Sequence, residues 1–281
     1  MSVKDRIVGP GPREDVVDRW RIAGRTALLV GAGGGGIGTE IAVALAQAGA
    51  ELIVMDISEE QLKPTADRVK AVGGVIETHL IDVLDREGML AALASVLDRD
   101  VHMLVNVAGG AGKPTPLLDY PDAQFDEVLA RNMSYVFFTC RAAARAMVDR
   151  GIKGSIVNIA SNAGLMSAHN VGPYGTAKGG VISLTRTMAV EWGRYGIRVN
   201  AVAPGGTATP RILSIFPEGL EKTASWNPLG RVPDGSDIAA AVLYFASDMA
   251  NAVTGQLLTV DAGGSVRSPY GGVDIELDDL S

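Results

Sequence analysis

A chain of 281 residues with a formal net charge of −7 is a poor match for nucleic acid or an anionic membrane surface, and it is long enough to bury a full α/β core. Its one cysteine, Cys140, rules out an intrachain disulfide, and His79, His102 and His169 lack the spacing of a metal site, so no metal is expected. The opening MSVKDRIVGPGPRED has no apolar h-region, and no uncharged apolar run reaches about 18 residues, so the expectation is a cytoplasmic protein with no membrane partner.

Residues 1–24 are polar around GPGP and read as an extension ahead of the core. Beyond them, strand and helix patterns alternate. Apolar strand-like runs lie at 27–30, 52–56, 75–81, 102–106, 155–159, 198–202 and 257–260. Helix periods lie at 37–48, 59–72, 86–97, 122–149, 173–195 and 236–247. Such alternation predicts a parallel sheet with helices on both faces. No repeat and no compositional break marks a second domain, so the core is expected over 25–265, with an acidic tail at 266–281. Between 210 and 229 the alternation lapses into an irregular segment with three prolines, expected to be a lid or loop.

The first chemical signal is VGAGGGGIG at 30–38. It joins an apolar run to an amphipathic helix, which suits a phosphate cradle, although glycines at a tight helix–strand turn would look the same. A second strand ends in Asp56, about 20 residues past the glycines, where a carboxylate reaches a ribose hydroxyl. The next signal is SNAGLMSAHNVGPYGTAKGG, which carries Ser161, Tyr174 and Lys178. Tyr174 and Lys178 are four apart at a helix start and so share one face. A phenol with an ordinary pKa near 10 is a poor base at neutral pH, and a neighbouring ammonium favours the phenolate.

Taken together, these motifs resemble the short-chain dehydrogenases/reductases of single-domain type, over about 25–264. The family's Y-x-x-x-K reads as Tyr174 to Lys178, with Ser161 thirteen residues before the tyrosine. Its N-N-A-G reads as Asn106-Val107-Ala108-Gly109, its helix asparagine as Asn132, and its acid–apolar pair as Asp82-Val83. NAVAPGGTATP matches the proline–glycine turn with Pro204, Gly205, Thr207 and Thr209, and VTGQLLTVDAGG matches the last strand. The family loop T-G-x-x-x-G-x-G departs here: counting back from Gly36-Ile37-Gly38, its first glycine falls on Ala32, whereas Gly31 follows the strand. The loop is therefore one residue longer, Val30 stands where threonine is common, and which of Gly33 to Gly35 meets the pyrophosphate stays open.

The resemblance implies a single Rossmann-like doubly wound α/β domain with a seven-stranded parallel sheet. It implies catalysis by Asn132, Ser161, Tyr174 and Lys178: Ser161 holds the substrate oxygen, Tyr174 exchanges its proton, Lys178 holds the ribose and lowers the phenol pKa, and Asn132 positions a relay water. The implied cofactor contacts are Gly31, Gly35, Gly36, Ile37, Gly38, Asp56, Ile57, Asp82, Val83, Asn106, Ala108, Gly109, Tyr174, Lys178, Pro204, Gly205, Thr207 and Thr209. Charge then argues for NAD over NADP. A 2′-phosphate about 4 Å from Asp56 is repelled by roughly 4 kcal/mol at an effective dielectric near 20, and no cation lies nearby in sequence.

The expected function is an NAD-dependent oxidoreductase interconverting a secondary alcohol and a ketone. Arg211, Ile212, Leu213, Ile215, Phe216, Leu220 and Trp226 in the lid segment suggest a hydrophobic, alicyclic or steroid-like substrate, or else simply pack the lid on the core. The alternatives are a 3-oxoacyl-(acyl-carrier-protein) reductase-like enzyme, which Asp56 opposes, and a non-catalytic nucleotide-binding scaffold, which the intact active-site set opposes. In the tail, Val273, Ile275 and Leu277 alternate with Asp274, Glu276 and Asp278. With the family's habit of tetramers, this predicts a homotetramer in which 273–277 packs on a neighbour.

Overall fold

Alternate residues of each strand feed opposite faces of one sheet. In β1 (Thr26–Val30), Leu28 and Val30 enter the core on one face, while Ala27 and Leu29 enter the core on the other. The same division holds in β2 (Glu51–Asp56), where Ile53 and Met55 oppose Leu52 and Val54. The computed structural model describes residues 17–267. It completes the sheet with β3 (Ile76–Leu80), β4 (Met103–Asn106), β5 (Ser155–Ile159), β6 (Arg198–Pro204) and β7 (Leu257–Val260).

All seven strands are parallel, in the order β3-β2-β1-β4-β5-β6-β7. β1 pairs with β2 on one side and β4 on the other, so the winding reverses there and a crevice opens beyond the carboxyl ends of these strands. On one face lie α1 (Ile37–Gln47), α2 (Glu59–Ala71) and α9 (Gly235–Ala246), which contribute Ile41, Leu45, Leu62, Val69, Val242 and Phe245 to the core. On the other lie α3 (Arg86–Val96), α5 (Tyr135–Asp149) and α6 (Gly172–Trp192), with Leu93, Tyr135, Val136 and Val181. Each fully buried leucine in these layers contributes about 1.5–3 kcal/mol, and Leu45→Ala would cost about 2–5 kcal/mol.

The core reaches further toward the N-terminus than the expected boundary at 25. Ile22 is buried and its N–H donates to Ala48 O at 3.0 Å. The expected 266–281 tail lies outside the described residues except for Val266 and Arg267, and so does the 273–277 segment expected at an interface.

Two expectations are corrected. The helix expected over 122–149 is interrupted: α4 (Asp122–Leu129) and α5 are separated by a π-helical turn, Ala130–Ser134. The segment 210–229 is not irregular but holds α7 (Pro210–Ile215) and α8 (Pro217–Trp226). Pro210 and Pro217 start helices instead of breaking them, because a first-turn residue has no intrahelical hydrogen bond to lose. Thr209 caps α7 by accepting from Ile212 N–H at 3.3 Å.

Candidate active site

β1 is followed by Gly31, whose φ of +85° suits glycine and whose Cβ, if present, would lie 2.3 Å from Ala108 Cα. The loop that follows uses its own amides on the protein. Gly31 N–H donates to Met55 O at 2.7 Å, Gly33 to Asp56 Oδ2 at 2.7 Å, Gly34 to Gln61 O at 3.0 Å and Gly35 to Thr39 Oγ1 at 3.1 Å. α1 differs from α2, α3, α7 and α9 in that its N-cap, Gly36, offers no side-chain acceptor. The N–H groups of Gly36, Ile37 and Gly38 have no acceptor among the described residues. A Cβ at Gly38 would lie 2.5 Å from Ala32 Cα, so backbone meets backbone there. A bare helix N-terminus approached without side chains fits the pyrophosphate of a dinucleotide.

Asp56, at the end of β2, is nearly buried, and both its oxygens accept from backbone: Oδ2 from Gly33 and Oδ1 from Ile57 N–H at 2.7 Å. It lines a cavity of about 450 Å³ together with Gly31, Ile57, Asp82, Val83, Ala108 and Gly109, all expected from the sequence. The cavity also takes Gly33, Gln61, Leu84 and Val107, and two arginines, Arg131 and Arg211, that sequence reasoning did not assign to the cofactor. Arg131 is ion-paired with Glu127. Arg211 comes from α7, 155 residues along the chain from Asp56, so no local pattern links them. Adjacency to Asn132 was the one available hint for Arg131.

Ser161 follows β5 and is 9% exposed; its Oγ accepts from Ala163 N–H at 3.2 Å, closing a short turn. Tyr174 is partly buried near the start of α6, and burial raises its pKa, while a hydrogen bond with Ser161 pulls it back. Lys178, one turn on, is buried; its Nζ lies 5.7 Å from the Tyr174 ring centroid and donates to Ile159 O at 2.8 Å. Burial lowers its pKa to about 8. Asn132 sits in the π turn, where its amide grips the loop after β4: Oδ1 accepts from Gly110 N–H at 2.9 Å, and Nδ2 donates to Gly110 O and to Val128 O at 2.9 Å each. A Cβ at Gly109 would lie 2.6 Å from Asn132 Oδ1 and 3.4 Å from Lys178 Nζ. Gly109 therefore joins the Ser161–Tyr174–Lys178 cluster to the Asp56 cavity.

Past β6, Thr207 Oγ1 donates to Gly205 O at 3.0 Å and Gly205 N–H donates to Val260 O at 3.1 Å, which fixes the Pro204 turn. Thr209 brings its Cγ2 within 3.8 Å of where a Gly36 Cβ would stand, so α7 begins against the glycine loop. Asn106 turns its side chain into the core. It is fully buried, donates to Asn158 Oδ1 at 2.9 Å and to Cys140 Sγ at 3.2 Å, and accepts from Thr139 Oγ1 at 2.8 Å. Its side chain ties β4 to β5 and α5 inside the core, away from the cavity. Cys140 is a buried thiol, with burial pushing it up to about 12. A larger cavity of about 750 Å³ opens at the opposite ends of the strands, beside Arg25, His102, Lys153 and Arg198, and takes none of the expected site residues.

Among known proteins, the family model described as enoyl-(acyl carrier protein) reductase matches residues 31–265. Galactitol 2-dehydrogenase (L-tagatose-forming) of Cereibacter sphaeroides is 40% identical over 253 residues, covering 88% of this chain and 97% of that one. The structure of carveol dehydrogenase from Mycobacterium avium, in complex with NAD, matches with a TM-score of 0.82 at 33% identity, over 88% of this chain and 99% of that one. An Agrobacterium tumefaciens structure with bound NADP matches with a TM-score of 0.82 at 34% identity, over 89% and 99%.

Proposed function

The chain belongs to the short-chain dehydrogenases/reductases, and on that premise we propose that it is an NAD-dependent enzyme interconverting an apolar, alicyclic or steroid-like secondary alcohol and its ketone. The observation that carries the reading is the cluster of Ser161, Tyr174 and Lys178 beside Gly109, which opens onto the Asp56 cavity.

In this reading the amides of Gly36, Ile37 and Gly38 hold the pyrophosphate, with Gly35 shaping the loop, and Asp56 accepts from the ribose hydroxyls. Ile57, Asp82 and Val83 bound the adenine, Ala108 and Gly109 underlie the sugar, and the turn from Pro204 to Thr209 flanks the nicotinamide. A bound nicotinamide accepts or supplies hydride. Ser161 orients the substrate oxygen. Tyr174 takes the hydroxyl proton as the alcohol carbon loses hydride, and returns it in reduction. Lys178 supports the phenolate: an ammonium 5.7 Å from the ring centroid favours the charged form of the phenol. That attraction opposes the burial that holds Tyr174 protonated. Asn132 keeps the Gly109–Gly110 backbone against Lys178, where a relay water would sit.

NAD is favoured by the Asp56 carboxylate, which repels a 2′-phosphate. A second reading, use of NADP, draws on Arg131 and Arg211 in the same cavity and on the NADP-bound Agrobacterium neighbour. The apolar substrate is supported by Leu213, Ile215, Phe216 and Trp226, which α7 and α8 leave about half exposed or more. We also propose a cytoplasmic homotetramer, supported by Phe137 on α5 and Val190 and Tyr195 on and just beyond α6, all exposed. No helix of the described residues is long and apolar enough to cross a membrane.

Titration with NAD and NADP, followed by turnover on a panel of cyclic, steroidal and polyol alcohols, tests the reading. NAD binding with turnover confined to the apolar alcohols is expected. Polyol turnover alone would overturn the substrate class, and preferred NADP binding would overturn the cofactor.

A further inference from the structure

We propose that Thr39 and Thr65 are positioning residues for the cofactor loop, acting through a buried chain of hydroxyls that ties the loop to itself. The inference rests on the reading of the cleft as a dinucleotide site.

Thr65 Oγ1 donates to Ala32 O at 2.9 Å, the Thr39 and Thr65 hydroxyls are 2.6 Å apart, and Gly35 N–H donates to Thr39 Oγ1 at 3.1 Å. Each hydroxyl carries one proton. Because the Thr65 proton goes to Ala32 O, the Thr39 proton must go to Thr65 Oγ1. The chain therefore runs one way, from Gly35 N–H through Thr39 and Thr65 to the carbonyl of Ala32. Both side chains are fully buried, and no member lacks a partner. Buried hydroxyls are costly unless satisfied, so this chain holds in one arrangement or breaks as a unit.

What it holds is the run from Ala32 to Gly35, the part of the loop with the least intrinsic order. Gly34 and Gly35 both take positive φ, +77° and +71°, and glycine loses more backbone freedom on ordering than any other residue. One end of the chain is anchored in the first turn of α1, through Thr39, and the other in α2, through Thr65. The open amides of Gly36, Ile37 and Gly38 follow the clamped run directly. Neither threonine lines the Asp56 cavity, so both act through the loop and not on a ligand.

Thr65→Val keeps the shape and removes the relay, Thr65→Ser keeps the hydroxyl, and Thr39→Val breaks the other link. NAD dissociation constants, kcat, and hydrogen exchange of the amides of residues 31–36 in the ligand-free protein are measured for each. Loss of a buried hydrogen bond predicts a dissociation constant raised on the order of tenfold in either valine variant, with kcat within about twofold. Exchange at Gly35 should accelerate, the serine variant should restore both readouts, and the double valine variant should be no worse than either single one. Unchanged exchange and unchanged NAD binding in both valine variants would overturn the proposal, as would a fall in kcat at constant affinity. Wild-type protein that binds neither NAD nor NADP would overturn the dinucleotide reading instead, while the exchange measurement still decides whether the clamp exists.

Discussion

Gly33 donates its backbone N–H to Asp56 Oδ2 at 2.7 Å, so the glycine loop and the acid that ends β2 form one unit. In the proposed reading the carboxylate has two tasks, holding the loop and meeting the ribose. Asp56→Ala should weaken NAD binding and also lower the NAD-to-NADP ratio of kcat/KM by at least about tenfold, since repulsion of roughly 4 kcal/mol is removed. An unchanged ratio would refute the charge argument.

Tyr174→Phe removes a proton carrier and keeps a ring of the same shape. Turnover should fall by about 10²–10⁴-fold, with the NAD dissociation constant within about twofold of wild type. Near-normal turnover in this variant would favour a scaffold over an enzyme.

Lys178 is a buried ammonium whose pKa falls from 10.5 to about 8 on folding. Below about pH 8 it is charged in both states and destabilises the fold fully; the penalty shrinks as pH rises and is gone near 10.5, where both states are neutral. Lys178→Met should therefore be inactive yet more stable than wild type at pH 7, by about 1–2 kcal/mol once the lost Ile159 hydrogen bond is subtracted. Unfolding free energies from pH 7 to 10 should show that gap closing. A variant less stable at every pH would contradict the sign.

Leu213 is half exposed on α7. If the lid closes over an apolar substrate, Leu213→Asn should raise KM for cyclic ketones about fivefold or more, with NAD binding and melting temperature unaltered. A lid residue that serves only packing would change the melting temperature and leave KM alone.

Val190 on α6 is 83% exposed, with Tyr195 just beyond it. Val190→Glu should lower the solution mass from that of a tetramer, because an unpaired charge is costly in an apolar contact. Wild-type protein that sediments as a monomer would remove the proposal altogether.

Short-range pattern was enough for much of this molecule. β5 and β7 occupy the residues expected of them, because an apolar run bounded by breakers has one way to be buried in a parallel sheet. Ser161, Tyr174 and Lys178 were equally legible, since a strand end and one helical turn bring them together over eighteen residues of chain. The lid helices were missed because proline reads as a breaker until the chain before it supplies a cap, as Thr209 does.

The remaining features depend on which strands became neighbours. The π turn at Ala130–Ser134 exists where the Asn132 amide finds Gly110, and Asn106 turns inward because β5 places Asn158 beside it. The loop amides found their acceptors in the same way: β2 lies next to β1, which brings Met55 and Asp56 to Gly31 and Gly33, while α2 brings Gln61 to Gly34. Periodicity states which residues share a face; it carries no information about the partner across a gap of twenty or more residues. A hydrogen bond needs that partner within about 3 Å, so the choice of the amides left open at Gly36, Ile37 and Gly38 belonged to the tertiary structure alone.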